Sequence, residues 1–367
     1  MDETTFRIID ALSRDFGRPT SINGLVGRIR EMRRGAYYKN IYDKIQKLQK
    51  EGLIRAARIG RNSEITLNFG SYVTKDMLAE MELRKKHQAM KENKSLQNIL
   101  SDIEEQLRQF GTISCACIIS PGKTLPLNRL ELLVIFRETP RTEGMVQKEM
   151  LHIYGEIRKL QDKRNAKIDI LALRESEFSS LLKADEYNPL REMVSGEIAF
   201  FYPQNFWFLV GQSAKTGIGA ERLKEVNVAK IPEKDLVYNM ERFGYKEIGT
   251  IPEEGNKMCL ECTMTSILLS GNARRIEAIP VILAKNTPNY NLLIFLSRKY
   301  NAEGKLLGMI RVMNGIKRSK ESEIGDRRRQ ETPSIEYAIK ALEALKTKEE
   351  KANEMSIKKK MRLYHAD

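Results

Sequence analysis

The sequence predicts a mixed α+β chain built from several domains. Three stretches carry that expectation. Residues 20–68 read as a helix, a turn, a second helix and a two-stranded hairpin; residues 111–207 alternate strands with helices; residues 209–346 are mainly helical.

Pro19-Thr20-Ser21 opens the first stretch with N-cap chemistry: a Thr or Ser oxygen accepts from the free backbone N–H groups of a first helical turn. Ile22, Leu25, Val26 and Ile29 follow at helical spacing, and Gly35 breaks the run. Tyr38, Ile41, Tyr42, Ile45 and Leu48 mark the apolar face of a second helix that ends near Glu51-Gly52. That stripe assigns Tyr38 and Tyr42 to the core. Residues 53–58 and 64–68 read as strands around the turn Gly60-Arg61-Asn62-Ser63.

This order, and the phrase YYKNIYDKIQKLQKEGLI, resemble the winged helix-turn-helix of archaeal transcription regulators. The resemblance implies double-stranded DNA as the partner. The second helix would enter the major groove, and the hairpin would meet the backbone or the adjacent minor groove. Arg33, Arg34, Tyr37, Lys39, Asn40 and Lys44 are then the candidate groove contacts, with Arg58, Arg61 and Asn62 on the wing. Arg and Asn can bond purine edges in pairs, while Lys mostly meets phosphate.

Charge points the same way. The chain carries 63 Lys and Arg against 49 Asp and Glu, a net +14. Between residues 28 and 61, 11 Lys and Arg face three acids, a local +8. Such a cluster is an electrostatic footprint for phosphate backbones. No apolar run approaches the ~20 residues of a membrane helix. The start of the chain is acidic at Asp2-Glu3, without an apolar signal core, so a cytoplasmic protein with no membrane contact is expected. Four cysteines, Cys115, Cys117, Cys259 and Cys262, form one C-x-C and one C-x-x-C. Buried structural thiols are expected rather than a metal site or disulfides.

Residues 74–110 are highly charged, lack Pro and read as one continuous helix. Leu96, Ile99, Leu100, Ile103 and Leu107 form an apolar stripe in its second half. A helix in this place is a dimer arm, a spacer, or an element packed on its own chain; no heptad repeat is sustained to decide among them.

In the next stretch, residues 113–119, 130–136 and 167–173 read as strands and 145–160 as a helix. The phrases NRLELLVIF, KIDILAL and NPLREMVSGEIAFFYPQNFW resemble the minimal nucleotidyltransferases over nearly 100 residues. That family's chemistry needs two carboxylates one residue apart on a strand, so that both face Mg²⁺. It also needs a third carboxylate on a later strand and a Gly-Ser turn that offers N–H groups to phosphate. Carried over, Glu131 stands at the second carboxylate and Asp169 at the third, but Arg129 occupies the first. Cys117-Ile118 stands where Gly-Ser is needed, and Pro121-Gly122 comes too late. A catalytically inactive transferase fold without a cofactor is therefore expected, with Arg129, Glu131 and Asp169 as vestigial positions.

The last third reads as helices at 257–269, 274–285, 290–300 and 334–345, with Pro280 interrupting the second. A charged loop is expected at 317–330 and a frayed Lys-rich tail after 346. The phrases LLSGNARRIEAIPVILAKN and LLIFLSRKYNAEGKLLGMIRVM resemble the helical part of abortive-infection-type antitoxin regulators. The phrase GQSAKTGIG at 211–219 lacks the order of a phosphate loop and reads as a flexible connection. His87, His152 and His365 have no Ser or Cys partner in sequence.

The expected domains are a DNA-binding unit at 1–72, a helical spacer at 73–110 and a degenerate transferase-like domain at 111–208. A helical domain at 209–346 and a basic tail at 347–367 follow. The expected function is a dimeric, sequence-specific transcriptional regulator. Two alternatives stand beside it: an active nucleotidyltransferase of a toxin–antitoxin-like system, and an antitoxin-like module with a toxin or other protein partner.

Overall fold

A computed structural model of the chain describes residues 1–16, 18–32, 37–59, 62–119, 129–139, 141–215, 226–246, 254–323 and 335–346. The protein is mixed α+β, mostly helical, with one three-stranded and one four-stranded sheet among the described residues.

The chain opens with helix α1 (Glu3–Ser13), capped by Asp2, whose carboxylate accepts from Thr5 N–H at 2.9 Å. Thr20 and Ser21 were expected as helix caps. They form a short strand, β1 (Thr20–Ser21), while the Ser21 hydroxyl still caps α2 (Ile22–Met32) by accepting from Gly24 N–H at 3.0 Å. Helix α3 (Tyr38–Lys50) buries Ile41, Ile45 and Leu48. It stops at Gly52, which takes φ 74°, a left-handed turn that glycine enters without a Cβ clash. Strands β2 (Ile54–Ile59) and β3 (Asn62–Leu67) pair antiparallel, and β1 adds to the outer edge of β3.

The single helix expected over 74–110 is two. Helix α4 (Tyr72–Glu92) ends at Asn93, which leaves helical geometry and caps α5 (Lys94–Leu107) through its side chain and Leu96 N–H. Both helices bury their apolar stripes on this same chain.

Strands β4 (Ile113–Ile119) and β5 (Arg129–Phe136) pair antiparallel. Helix α6 (Glu143–Arg164) then crosses over to β6 (Lys167–Arg174), which lies parallel to β5. Helices α7 (Glu175–Lys183) and α8 (Leu190–Ser195) precede β7 (Ile198–Phe201), which closes the sheet in the order β6-β5-β4-β7. Helix α9 (Pro203–Lys215) takes in Gly211, so the first part of the expected flexible connection is helical and the rest lies outside the described residues. A Cβ on Gly211 would sit 3.2 Å from Cβ and Cδ1 of Phe69, because α9 lies directly against that side chain.

The remaining α-helices among the described residues are α10 (Glu233–Arg242), α11 (Leu260–Ser270), α12 (Ala273–Ile276), α13 (Ala278–Lys285), α14 (Tyr290–Lys299), α15 (Glu303–Glu323) and α16 (Ile335–Leu345). The expected helix at 274–285 breaks at Glu277. Pro280 falls in the first turn of α13, where its missing N–H leaves no helical bond unmade. Residues 317–323 belong to α15; the rest of the expected charged loop lies outside the described residues.

Alternation along the strands divides the core. One sheet face carries Cys115, Cys117, Leu133, Ile135, Leu171 and Leu173, continuous with Trp207 of α9 and with Leu25, Ile45 and Met81 of the N-terminal unit and α4. The other face carries Ile118, Leu132, Val134 and Ile170 against α5, α6 and the C-terminal helices.

A buried charge network crosses the seam between the N-terminal unit and the sheet. Lys85 Nζ on α4 forms an ion pair with Asp10 Oδ1 of α1 at 2.9 Å and donates to Glu82 Oε1 at 3.0 Å. Glu82 Oε2 accepts from Ala199 N–H of β7 at 2.9 Å. Glu197, buried beside them, has its carboxyl pushed up to about 8 by burial and by the Glu82 charge. Lys85 itself is held above the ordinary lysine range: the Glu82 and Asp10 charges outweigh its burial.

Glu197 thus binds its proton more tightly folded than unfolded. Its contribution to stability is complete below about pH 4.5 and is lost as pH rises through about 8. Urea denaturation should show stability falling between these limits by a few kcal/mol, on the order set by ~1.4 kcal/mol per pKa unit. Glu197→Gln should flatten that slope; an unchanged slope would remove Glu197 as its source.

Candidate functional site

Two places gather chemistry. The first is the parallel pair β5–β6. Its register sets Glu131 directly beside Asp169 and Arg129 beside Lys167, all on one sheet face. Asp169 is fully buried. Its Oδ2 accepts from Arg129 Nε at 3.0 Å and from the terminal nitrogen at 2.7 Å. Its Oδ1 lies 3.4 Å from Arg298 Nε, a charge contact rather than a hydrogen bond. Lys299 Nζ donates to Glu131 Oε2 at 2.8 Å, and Lys167 Nζ donates to Arg298 O at 2.9 Å. Burial holds the Lys167 ammonium below the ordinary lysine range, and Arg129 and Arg298 add to that against the pull of Asp169.

Four cationic side chains therefore surround two carboxylates. A divalent cation needs open carboxylate oxygens. Here each carboxylate already holds a protein cation, and Arg129 projects where a third ligand would stand. These residues do not fit Mg²⁺. Cys117 and Ile118 lie mid-strand in β4, paired with Leu133 and Leu132, so no phosphate-binding turn exists at that position. Pro121 and Gly122 lie outside the described residues. Behind Lys299 is a cavity of about 80 Å³ lined by Tyr187, Glu192, Leu296 and Tyr300. Nucleotide-sized ligands occupy pockets of roughly 300–1,000 Å³.

The cysteines are buried too. Cys259 caps α11, its sulfur accepting from Cys262 N–H at 3.4 Å. Burial raises the thiols of Cys115, Cys117 and Cys259, which opposes the thiolate a metal needs. Among the described residues no group of three or more His, Cys, Asp or Glu could hold a metal ion.

The second place is the outer face of α3 with the adjoining strand β2. Tyr37 stands at the N-cap position of α3, 72% exposed. Lys39, Asn40, Lys47 and Lys50 are exposed along the helix, with Asp43 among them, and Arg55 and Arg58 are exposed on β2. Lys39, Lys50, Arg55 and Arg58 have no ion-pair partner among the described residues. Asn62 pairs with Ile59 at the end of the hairpin. Arg33, Arg34 and Arg61 lie outside the described residues.

Three assignments change. Lys44 is not a free surface cation: it bonds Asp2 Oδ2 at 2.5 Å, and with the Thr5 N–H it holds that carboxyl well below the usual range. Arg28, counted in the basic cluster, pairs with Asp15 at 2.5 Å and with the Thr20 hydroxyl at 2.7 Å. Tyr38 and Tyr42 are exposed, not core, with their rings stacked 6.1 Å apart. The stripe Ile41, Ile45, Leu48 is complete without them, and that spacing already sets Tyr42 on its flank. Lys47, Lys50 and Arg55 were not singled out by sequence, although their charge and spacing off the stripe were visible.

No family model, curated protein or solved structure matches this chain.

Arg129→Met should leave Asp169 with Arg298 alone and lower the urea unfolding free energy by ~3–5 kcal/mol, as when one partner of a buried pair is removed. Glu131→Gln leaves the partly exposed Lys299 without its partner, while Arg129 keeps Asp169, and should cost ~1 kcal/mol. Equal losses in the two variants would contradict the division of labour drawn here.

Proposed function

We propose that this chain is a DNA-binding transcriptional regulator. Its N-terminal unit acts as a winged helix-turn-helix, and its body is a transferase-like platform with no metal chemistry of its own. The observation that carries the reading is the outer face of α3. Lys39, Asn40, Lys47 and Lys50 stand exposed there, clear of the core stripe, and Arg55 and Arg58 are exposed on β2, one on each face of the hairpin.

The N-terminal half of α3 enters the major groove in this reading, with Asn40 facing base edges and Lys39 and the hairpin arginines on phosphates. The buried stripe of α3 and its ion pair through Lys44 to α1 keep the helix from rolling as it docks. Two copies reading half-sites one helical turn apart would complete a regulator of ordinary geometry. The body serves as the platform to which this unit is fixed. Its Glu131 and Asp169 oxygens are held by Lys299, Arg129 and Arg298, which supports a structural role for that site.

The test is a gel shift with the full chain on random genomic duplex fragments at low salt. Retained duplex supports the reading, and no binding overturns it. Lys39→Ala with Arg58→Ala should weaken binding and reduce the slope of log affinity against log salt by about 2, near 0.9 for each phosphate contact removed. Arg33→Ala with Arg34→Ala should flatten the slope in the same way. An unchanged slope would take the substituted residues out of the interface.

A further inference from the structure

Among the described residues eleven large apolar or aromatic side chains are exposed, and three of them, Tyr37, Tyr38 and Tyr42, fall within six residues at the start of α3. Exposed tyrosines are individually common, but a group on the leading end of one helix is not needed for folding. The core stripe of α3 does not use them. Tyr38 and Tyr42 are 45% and 40% exposed, with rings nearly parallel at 15° and centroids 6.1 Å apart. They form one continuous apolar edge along the flank of the helix. The polar face beside it carries Lys39 and Asn40.

From this juxtaposition we propose that the Tyr38–Tyr42 edge reads thymine, by contact with its C5 methyl groups in the major groove. The inference rests on the duplex-binding reading above and adds a base preference to it. The thymine methyl is the one apolar group on the major-groove floor, and an apolar side-chain surface is what discriminates it. Ring centroids 6.1 Å apart span about two base-pair steps of ~3.4 Å, so the two rings meet methyls on neighbouring or next-neighbouring pairs. Lys39 supplies phosphate attraction, which is blind to sequence; the rings supply selection. A rigid helix carrying its aromatics on one flank suits a groove, whereas single strands are bound by aromatic platforms within a basic channel that tracks the backbone.

The experiment uses the full chain. Duplexes enriched from a random pool by repeated binding are remade with uracil in place of thymine at each position in turn, removing only the methyl. Affinity is read by fluorescence anisotropy. Each contacted methyl should be worth about threefold to fourfold in affinity, the value of one buried carbon. Tyr38→Ser with Tyr42→Ser should abolish the uracil penalty while leaving the salt slope unchanged. Tyr38→Phe with Tyr42→Phe should retain it, since the ring and not the hydroxyl makes the contact. Duplex binding indifferent to uracil, loss of the penalty in the Phe pair, or tighter binding to the separated strand would overturn the inference and leave duplex binding standing. No retained duplex at all would overturn the DNA-binding reading and this inference with it.

Discussion

Asp169 sits fully buried on β6, paired directly in register with Glu131 of β5, and its charge must be met from within the protein. Arg129 meets it from β5 and Arg298 from the end of α14. The same Arg298 guanidinium reaches Leu345 O at 3.3 Å and Gln161 Oε1 at 3.4 Å, and that Gln161 oxygen accepts from Ile168 N–H at 2.9 Å. One buried ion group therefore ties β6, α6, α14 and the end of α16 together. Helix α14 is buried all round, so it has no solvent face to settle its rotation. The pairing of Arg298 and Lys299 with Asp169 and Glu131 supplies that rotation, and the C-terminal helices pack around the result.

The N-terminal unit is joined by the same physics at a second place. Lys85 is shared by Asp10 and Glu82, while burial and the Glu82 charge push the Glu197 carboxyl up against the pull of Lys85. Phe69 stacks on Trp207 at 6.4 Å, and the close approach at Gly211 lets α9 lie against it. Apolar contact supplies most of the attraction across the seam, and the charge network fixes its register, since a slipped helix would leave a buried carboxylate alone. The surface of α3 is thereby presented from a fixed base.

Much of this was legible in the sequence. The β-branched runs of β4, β5 and β6 announced buried strands, and the stripes of α3 and α5 announced their buried faces. Arg129, Glu131 and Asp169, singled out from the sequence, come together as neighbours on two paired strands. What sequence did not show was what completes that group. Arg298 and Lys299 lie some 130 residues beyond Asp169 and carry no local signal; only the docking of α14 brings them in. Tyr38 and Tyr42 were misplaced for a different reason. A stripe of aromatic and aliphatic residues at helical spacing is wider than the face a small unit can cover, so its margin goes to solvent. Lys44 and Arg28 look like any surface cation until α1 brings Asp2 and the α1–β1 connection brings Asp15 beside them. The break at Asn93 was the one local event within reach, because an Asn three residues before an apolar stripe is ordinary N-cap chemistry.

The distribution of unpaired charge follows from these constraints. Arg28, Lys44, Lys85, Arg129, Arg298 and Lys299 each stand against a carboxylate that folding brought to them. Cations used in this way are poor phosphate ligands, because a phosphate would have to displace a partner already in place. Lys39 and Lys50 on α3 and Arg55 and Arg58 on β2 carry no such partner among the described residues, and they share one small unit. A net excess of basic residues spread over the whole chain would argue only for solubility. Lys39, Lys50, Arg55 and Arg58 differ from the paired cations in having no carboxylate brought to them by the fold among the described residues, and on α3 Lys39 lies beside the exposed Tyr38–Tyr42 edge.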